Sequence, residues 1–338
     1  MAKVAINGFG RIGRTFFRMA FSHPDIEIVA INDLGNIDNL AYLLTYDSAY
    51  GRAPFTVTVE GTELVVDGKR IAIVQEKDPA KLPWGAMGVD VVVESTGFFT
   101  TYSGAGAHLT AGAKRVVISA PAKDDGGGVP GATVLMGVNE NELTTCQVTS
   151  NASCTTNATS PLIAILKEVI GIEKALLSTV HAYTASQSLV DAPKKDWREG
   201  RAAALNIVPT STGAAIATTL AHPELSGKFD GISLRVPVPV GSIVDVTFLA
   251  SRPTTVEEVN AALTTAAASD RWKHLFAVTT EALVSSDIIG ARYASIADLA
   301  FTRVVDGDLV KVMAWYDNET SYTHTLVEHV AAVAKSLS

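Results

Sequence analysis

Residues 3–13, with the sequence KVAINGFGRIG, decide the fold of the N-terminal half. The apolar run Lys3–Asn7 predicts a buried strand, which leads directly into glycines 8, 10 and 13 at the start of a predicted helix. Glycine suits these positions because the turn is tight, the backbone must approach a pyrophosphate closely, and the helix must pack near the strand. The unpaired N–H groups at a helix start attract phosphate. The stretch therefore predicts a dinucleotide-binding βα unit.

Asp33 strengthens this prediction. It follows the second predicted strand, Ile26–Asn32, and lies 20 residues beyond Gly13. A carboxylate at this place accepts hydrogen bonds from both hydroxyls of an adenosine ribose and repels a 2′-phosphate, which favours NAD over NADP. The simpler alternative is an Asp that only caps the following helix.

The pattern of strands divides the chain into two parts. In the first half the predicted strands are continuously apolar, as in a parallel sheet covered by helices on both faces; Val89–Glu94 and Val116–Ser119 are further examples. From about residue 150 longer alternating segments predict a mixed or antiparallel sheet. These segments are Leu176–Thr184, Ile232–Val240, Ile243–Ala250 and Leu309–Tyr316.

The expected fold class is therefore α/β, with a Rossmann dinucleotide-binding domain and an α+β catalytic domain. We expect the first domain to span residues 1–153 and to be completed by a C-terminal helix over 317–338, and the catalytic domain to span 154–316. Two domains also fit a length of 338 residues. In the second domain a capping box at Thr254–Glu257 predicts a helix over Val259–Ala268.

Composition excludes several classes of protein. The 27 Lys and Arg residues against 35 Asp and Glu residues give a net charge of −8, which argues against nucleic acid or an anionic membrane as the main partner. Two cysteines without a CxxC pattern argue against a disulfide framework and against a zinc site, so no metal is predicted. No targeting segment or membrane span is recognisable, which together with the cysteine usage predicts a cytoplasmic protein.

Cys154 is the candidate nucleophile. It lies in SNASCTTN (150–157), among hydroxyl and amide side chains just before a predicted helix, where a thiol pKa is lowered and the sulfur stays accessible. Cys146 has the setting of a passive strand residue. His181 follows Cys154 by 27 residues on the next predicted strand, so one helix and a return strand would bring the two together. The alternative for His181 is a histidine satisfied within the core.

Several residues of the second half are candidates for binding an anion. Arg235 lies inside an apolar predicted strand and needs a partner, for which the planar guanidinium makes phosphate suitable. Thr184 and the hydroxyl-rich turn Thr210–Gly213 offer further donors. An Arg on an exposed strand face or in an internal ion pair is the alternative.

Taken together, the motifs resemble those of phosphorylating glyceraldehyde-3-phosphate dehydrogenases over essentially the whole chain. The motifs are INGFGRIGR (6–14), AIND (30–33), YDSAYG (46–51), ESTG (94–97), SAPAK (119–123), SNASCTTN (150–157), HAYT (181–184), PTSTGAA (209–215) and WYDNE (315–319).

The resemblance implies oxidation of glyceraldehyde 3-phosphate to 1,3-bisphosphoglycerate, with NAD as the cofactor. Cys154 would form a thiohemiacetal and then a thioester, with His181 as base, and inorganic phosphate would release the product. Thr184 and Arg235 would hold the C3 phosphate of the substrate. The implied site for inorganic phosphate consists of Ser153, Thr155, Thr212 and Gly213.

The same resemblance implies a set of cofactor contacts and an assembly. Arg11 and Ile12 would flank the pyrophosphate, Thr96 and Ser119 would border the nucleotide, and Asn318 would orient the nicotinamide carboxamide. The expected assembly is a homotetramer in which the loop Asp191–Arg201 packs near a neighbouring subunit's cofactor.

The sequence also departs from the family pattern, and two other functions stay open. Thr320-Ser321 stand where many members carry Trp-Gly, and Glu199 stands where some bacterial members carry arginine. An erythrose 4-phosphate dehydrogenase would use the same Cys/His chemistry with water in place of phosphate. A non-catalytic NAD-binding scaffold would keep the fold without turnover.

Overall fold

A computed structural model describes residues 1–124 and 126–337 of the chain. The chain divides into two compact units, Met1–Ala152 with Thr323–Ser338, and Ser153–Tyr322. Each unit contains its own large sheet. Within the described ranges no helix is long and apolar enough to cross a membrane.

The first unit alternates strands and short helices. Its strands are β1 (Ala2–Asn7), β2 (Ile26–Asn32), β3 (Tyr46–Asp47), β4 (Gly51–Arg52), β5 (Val57–Glu60), β6 (Glu63–Val66), β7 (Lys69–Val74), β8 (Val91–Glu94), β9 (Arg115–Ile118), β10 (Gly131–Thr133) and β11 (Val148–Ser150). Its helices are α1 (Arg11–Ala20), α2 (Ile37–Thr45), α3 (Trp84–Met87) and α4 (Tyr102–Thr110), with 3-10 turns at Pro79–Lys81 and Glu140–Thr144.

The large sheet of this unit has the strand order β10-β11-β9-β8-β1-β2-β7-β6-β5. Neighbouring strands are parallel from β10 to β7, and the chain adds an antiparallel edge through β6 and β5. Strand β1 lies between β8 and β2, so the loops that follow these three strands meet at one edge, where doubly wound folds bind ligands. The predicted Rossmann fold is confirmed; the antiparallel edge was not predicted.

Both faces of the sheet are covered, as the continuous apolar strands predict. In β1, Val4 and Ile6 belong to one hydrophobic core, which also contains Phe16 of α1 and Leu326. Ala5, between them, belongs to a second core with Trp84 and Tyr102. Successive strand residues point to opposite faces, so alternate residues of one strand serve two cores.

The second unit contains the remaining elements. They are α5 (Cys154–Val169), β12 (Ile172–Ala182), β13 (Val208–Ser211), α6 (Ala214–Ala221), β14 (Phe229–Val236), β15 (Ser242–Ala250), α7 (Val256–Ala267), β16 (Phe276–Thr279), β17 (Ser295–Asp298), β18 (Arg303–Val305), β19 (Leu309–Tyr316) and the start of α8 (Thr320–Lys335), with 3-10 turns at Pro223–Leu225, Ser285–Ile288 and Leu299–Phe301. The strand order is β13-β14-β12-β15-β19-β17-β16, and β18 pairs with β19. The pairs β12–β14 and β16–β17 are parallel and the other pairs are antiparallel, which confirms the predicted mixed sheet.

Several predicted boundaries in this unit are wrong. The strands predicted from Leu176 and Ile232 begin at Ile172 and Phe229. The strand predicted to run to Val240 ends at Val236, because Pro237 has no N–H to donate to a neighbouring strand. The helix predicted from Val259 begins at residue 256, and its N-cap is Thr255 rather than Thr254. The Thr254 hydroxyl instead donates to the carboxylate of Glu258, at 2.8 Å.

Candidate active site

Cys154 is the first residue of helix α5. Ser153 is the N-cap, and its hydroxyl oxygen accepts a hydrogen bond from the backbone N–H of Thr156 at 3.1 Å. The thiol therefore lies at the helix end where unpaired N–H groups carry a partial positive charge. Both Ser153 and Cys154 keep some exposure to solvent, although the helix that follows is buried through Leu166.

His181 lies next to the thiol. Its Nε2 is 3.3 Å from Sγ of Cys154. The ring belongs to β12, the strand that returns after α5, and it is only 3% exposed. The structure thus brings together the two residues that the sequence proposes as nucleophile and base, at hydrogen-bond distance.

Arg235 contacts the far side of the same imidazole. Strands β12 and β14 are parallel neighbours in which His181 pairs with Arg235. Arg235 Nη1 lies 2.5 Å from His181 Nδ1 and 3.2 Å from the carbonyl oxygen of Ala182, while His181 Nδ1 is itself 2.6 Å from that carbonyl. Among the described residues, the buried Arg235 Nε has no hydrogen-bond partner. The guanidinium thus contacts the imidazole of His181.

Burial dominates the electrostatics of this group. It raises the pKa of the Cys154 thiol, although the charge of Arg235 and hydrogen bonds from Thr155 act to lower it. Burial, assisted by the Arg235 charge, lowers the pKa of His181 to about 3. The lowered thiol pKa expected from the helix start is wrong for this state. Thiol and imidazole both favour their neutral forms here, so transfer of a proton to His181 would create the nucleophile.

Tyr316 packs against the imidazole of His181 and holds two neighbouring threonines. Its hydroxyl lies 2.9 Å from the hydroxyls of both Thr155 and Thr179, and its ring packs edge-on against His181 with centroids 5.9 Å apart. Desolvation raises the pKa of the fully buried phenol, so it stays protonated. Tyr316 belongs to the motif WYDNE, but the motif alone does not predict this role. Thr179 carries no comparable sequence signal.

The other phosphate-binding candidates lie near strand ends of the second unit. Thr184 follows β12, and its hydroxyl is 3.1 Å from that of Ser186. The Thr212 hydroxyl accepts from Ala214 N at 3.2 Å, and Gly213 is the N-cap of α6. Through residues 1–124 and 126–337, no hydrogen bond joins these side chains to Arg235, so the structure does not bring the whole predicted set into contact.

A cavity of about 530 Å³ opens at the switch-point edge of the first unit. Four predicted cofactor residues, Gly8, Gly10, Asp33 and Thr96, line it. The Asp33 carboxylate accepts hydrogen bonds from Phe9 N at 2.7 Å and from Gly35 N at 2.8 Å, which fixes its orientation towards this edge. Asp33 does not cap the following helix, because the N-cap of α2 is Asn36. It ties the glycine turn to the end of β2.

The glycines fit a bound dinucleotide for two different reasons. At Gly8, where φ is +93°, an added Cβ would lie 2.6 Å from Thr96 N; at Gly13 it would lie 2.2 Å from the carbonyl oxygen of Gly8. At Gly10 an added Cβ would have no atom of the described chain within 4 Å. Two glycines thus permit packing of the turn, and the third leaves open the space that a pyrophosphate would use.

The remaining cofactor candidates lie outside the lining of this cavity. Arg11 and Ile12 begin α1, where Arg11 Nη1 forms a 2.8 Å ion pair with Asp47 and Ile12 packs against the core. Ser119 follows β9, and its N–H donates to the carbonyl oxygen of Glu94. Asn318, in the second unit, accepts at Oδ1 from Gly241 N and from the Ser242 hydroxyl, which leaves its amide NH₂ for another acceptor.

The residues that depart from the family pattern have local partners. Ser321 Oγ accepts from Asp317 N at 3.0 Å and donates to the carbonyl oxygen of Ala291. Asp317 Oδ1 accepts from Thr320 N, so both positions help to fix the start of α8. Glu199 accepts from the Thr210 hydroxyl at 3.2 Å. In the described part of the chain no group of three His, Cys, Asp or Glu side chains is placed to hold a metal ion.

Comparison with known proteins identifies the family. The model for the NAD binding domain of glyceraldehyde 3-phosphate dehydrogenase matches residues 2–102, and that for its C-terminal domain matches residues 153–318. The chain is 50% identical over 334 residues to the glyceraldehyde-3-phosphate dehydrogenase of Geobacillus stearothermophilus, with 98% of each chain covered. It is 49% identical over 335 residues, 98% of each chain, to glyceraldehyde-3-phosphate dehydrogenase 1 of Bacillus subtilis, and 48% identical over 338 residues, 99% of each, to the Zymomonas mobilis protein. The chain belongs to the glyceraldehyde 3-phosphate dehydrogenase family.

Proposed function

We propose that this chain is an NAD-dependent enzyme that oxidises and phosphorylates D-glyceraldehyde 3-phosphate to 1,3-bisphosphoglycerate. The main support for this proposal is the 3.3 Å contact between Cys154 Sγ and His181 Nε2 at the start of helix α5. Family membership supports the substrate and the cofactor. A nucleophilic thiol with an adjacent base is what covalent catalysis on an aldehyde requires.

His181 moves the protons of the reaction. Its Nε2 accepts the proton of the Cys154 thiol as sulfur adds to the aldehyde carbon, and it returns that proton to the alkoxide to complete a thiohemiacetal. Bound NAD supplies the acceptor for the hydride. As the carbon is oxidised, His181 takes the hydroxyl proton, and the carbon remains on Cys154 as a thioester. An oxygen of inorganic phosphate then attacks the thioester carbon and the sulfur leaves as a thiolate.

Arg235 connects substrate binding to the state of this base. In the position seen, Nη1 donates to His181 Nδ1, which holds the ring proton on Nε2, facing the thiol. A guanidinium drawn to the substrate's C3 phosphate, with Thr184, would leave Nδ1 free to donate to the Ala182 carbonyl, 2.6 Å away. Nε2 would then be the unprotonated base that the reaction needs.

The inorganic phosphate site is proposed at the helix starts. Ser153 and Thr155 stand on either side of Cys154, and Thr212 and Gly213 precede α6. Hydroxyl and N–H donors at such positions suit an anion. The Thr155 hydroxyl is already held by Tyr316, so a phosphate there would use its remaining capacity or its backbone.

For NAD we propose that the turn Gly8–Gly13 holds the pyrophosphate and that Asp33 accepts from the adenosine ribose. Arg11 and Ile12 flank the pyrophosphate, while Thr96 and Ser119 border the nucleotide. Asn318 donates its free amide NH₂ to the nicotinamide carboxamide. The open space at Gly10 and the oriented Asp33 carboxylate support this assignment.

We further propose domains at 1–153 with 317–338 and at 154–316, and a homotetramer that works in the cytoplasm. The family model for the C-terminal domain, which matches residues 153–318, supports limits close to 154 and 316. Three large apolar side chains exposed in or beside the loop Asp191–Arg201 support burial of this loop in an assembly: Leu189, Val190 and Trp197. A net charge of −8 argues against nucleic acid as the main partner, and a nucleophilic thiol needs a reducing compartment.

The test is the initial rate of NADH formation from glyceraldehyde 3-phosphate, with and without inorganic phosphate, and with NADP or erythrose 4-phosphate as substitutes. The proposal predicts fast turnover that needs both phosphate and NAD. Turnover of erythrose 4-phosphate without phosphate would identify the alternative dehydrogenase. A folded protein that binds NAD and turns over no aldehyde would be the scaffold.

A further inference from the structure

Glu94 is a buried carboxylate at the end of β8, and every polar contact of its side chain is with a donor. Its Oε2 accepts from Asn7 Nδ2 at 2.5 Å and lies 3.0 Å from His108 Nε2. Its Oε1 accepts from both the backbone N–H and the hydroxyl of Thr96. The side chain is 1% exposed, and across the described ranges no Lys or Arg forms an ion pair with it. Four donors saturate the four acceptor sites of a carboxylate.

The geometry fixes the direction of these hydrogen bonds. Trp84 Nε1 can only donate, and it lies 3.0 Å from His108 Nδ1, so that nitrogen is the acceptor. The His108 proton is therefore on Nε2, from which it is donated to Glu94. Asn7 has no freedom to turn over, because its Oδ1 accepts from Asn32 Nδ2 at 2.6 Å. Both partners of Oε2 are thus held as donors.

The network ends in the lining of the cofactor cavity. Asn7, Asn32 and Thr96 all line that cavity, while Glu94, His108 and Trp84 are buried behind it. The turn that carries Thr96 packs directly against Gly8, where an added Cβ would lie 2.6 Å from Thr96 N. The Thr96 hydroxyl donates to Glu94 and accepts from Phe98 N, so what it presents to the cavity is acceptor capacity.

We propose that Glu94 is a positioning residue for the NAD site: it holds the Thr96 turn and the Asn7 side chain against the glycine turn that receives the dinucleotide. The inference rests on the proposed cofactor role of this cavity. Glu94 lies behind the lining and acts through the residues that it orients.

Replacement of Glu94 by glutamine tests this positioning role. It changes the hydrogen-bonding pattern of the side chain and leaves its volume almost unchanged. An amide has one oxygen and one NH₂ group. Its NH₂ must face either the two donors on the Oε2 side, Asn7 and His108, or the two donors of Thr96. In each case donor meets donor, and either Asn7 or the Thr96 turn must move.

The experiment compares the dissociation constant of NAD by calorimetry in wild type and in Glu94→Gln, with Glu27→Gln as control. Glu27 is an exposed carboxylate on β2 of the same sheet. We expect the dissociation constant of NAD to rise roughly tenfold in Glu94→Gln and to stay at the wild-type value in Glu27→Gln. The rate of Cys154 alkylation by iodoacetamide without NAD should stay at the wild-type value, because the Cys154–His181 contact lies in the other unit.

A second variant tests whether Trp84 holds the His108 proton on Nε2. Adding Trp84→Phe to Glu94→Gln frees His108 to accept at Nε2, so the double variant should recover part of the lost affinity. If Glu94→Gln does not fold, Thr96→Val, which removes one donor of the network, should weaken NAD binding instead. Wild-type affinity in a folded Glu94→Gln or in Thr96→Val would overturn the inference alone, whereas a wild-type protein that does not bind NAD would overturn the proposed function as well.

Discussion

At the scale of single residues, the chemistry depends on the contact between Cys154 Sγ and His181 Nε2. Arg235 and the Ala182 carbonyl hold the opposite nitrogen of the imidazole, and Tyr316 packs against its ring. The imidazole is therefore fixed in position, and the place of the Arg235 guanidinium decides which ring nitrogen carries the proton. Such a group transfers protons without moving.

His181→Asn tests this role. Asparagine retains polarity but cannot accept and return a proton at the same place, so we expect kcat to fall by roughly 10²- to 10⁴-fold. Dissociation constants for NAD should stay within about twofold, because the proposed nucleotide contacts other than Asn318 lie in the other unit. Initial rates and calorimetry measure the two quantities. A kcat within threefold of wild type would remove His181 from the mechanism.

Gly8 and Gly10 allow a matched pair of alanine variants in one turn. Gly10→Ala adds a methyl group into open space at a negative φ, so thermal stability should be unchanged while NAD binding weakens by about tenfold or more. Gly8→Ala forces a contact with the backbone at Thr96 and a strained φ, so it should lower the melting temperature as well. Melting curves and NAD titrations of both variants check this. Equal affinities of Gly10→Ala and wild type would mean that no ligand approaches there.

At the scale of elements, helix caps place the reactive groups and stabilise the catalytic unit. Ser153 caps α5 below the thiol, and Asp317 with Ser321 fixes the start of α8 next to Asn318. Thr320 and Ser321 thus take part in hydrogen bonds that fix the start of α8. These hydrogen bonds give Thr320 and Ser321 a structural role that is compatible with an active enzyme.

Thr255→Ala measures one such cap away from the active site. Thr255 is the N-cap of α7, with its hydroxyl oxygen accepting from Glu258 N at 3.3 Å. We expect the free energy of unfolding to fall by about 1 kcal/mol, with kcat unchanged. Thr265→Ala, on an exposed position of the same helix, is the control and should be neutral or slightly stabilising. Equal stability of the two variants would contradict the cap assignment.

Local sequence pattern predicts some elements of this fold and not others. Apolar strands and the glycine turn predict the parallel sheet and its ligand edge, because both follow from local pattern. The antiparallel edge through β5 and β6 has no distinct local signal, and Pro237 ends a strand whose apolar pattern continues beyond it. The Glu94 network joins Asn7, Trp84 and His108, which are far apart in sequence, so pattern alone does not reveal it.

At the scale of the whole molecule, buried neutral histidines couple stability to pH. Burial lowers the pKa of His181 and His329 to about 3 and that of His222 to about 4, against an ordinary value of 6.5. Below pH 6.5 these residues take up protons in the unfolded chain but not in the folded one. The free energy of unfolding must therefore fall as pH falls from 6.5 towards 4.

His329 offers the clearest measurement of this coupling. It is fully buried between Thr149 and Asn151, and its contribution should amount to about 1.4 kcal/mol lost for each pH unit below 6.5. Melting temperatures at pH 7, 6 and 5 should decline in wild type and decline less in His329→Gln, whatever the absolute stability of that variant. Parallel pH profiles of the two proteins would show that His329 is not held neutral.

In the proposed reaction Cys154 carries the substrate as a thioester until inorganic phosphate removes it. The most direct measurement is the intact mass of the protein after mixing with glyceraldehyde 3-phosphate and NAD in the absence of phosphate. We expect one phosphoglyceroyl adduct per chain, located on Cys154 by peptide mapping. The adduct should be lost on addition of phosphate and absent from Cys154→Ala. NADH formation without any such adduct, or an adduct on Cys146, would contradict it.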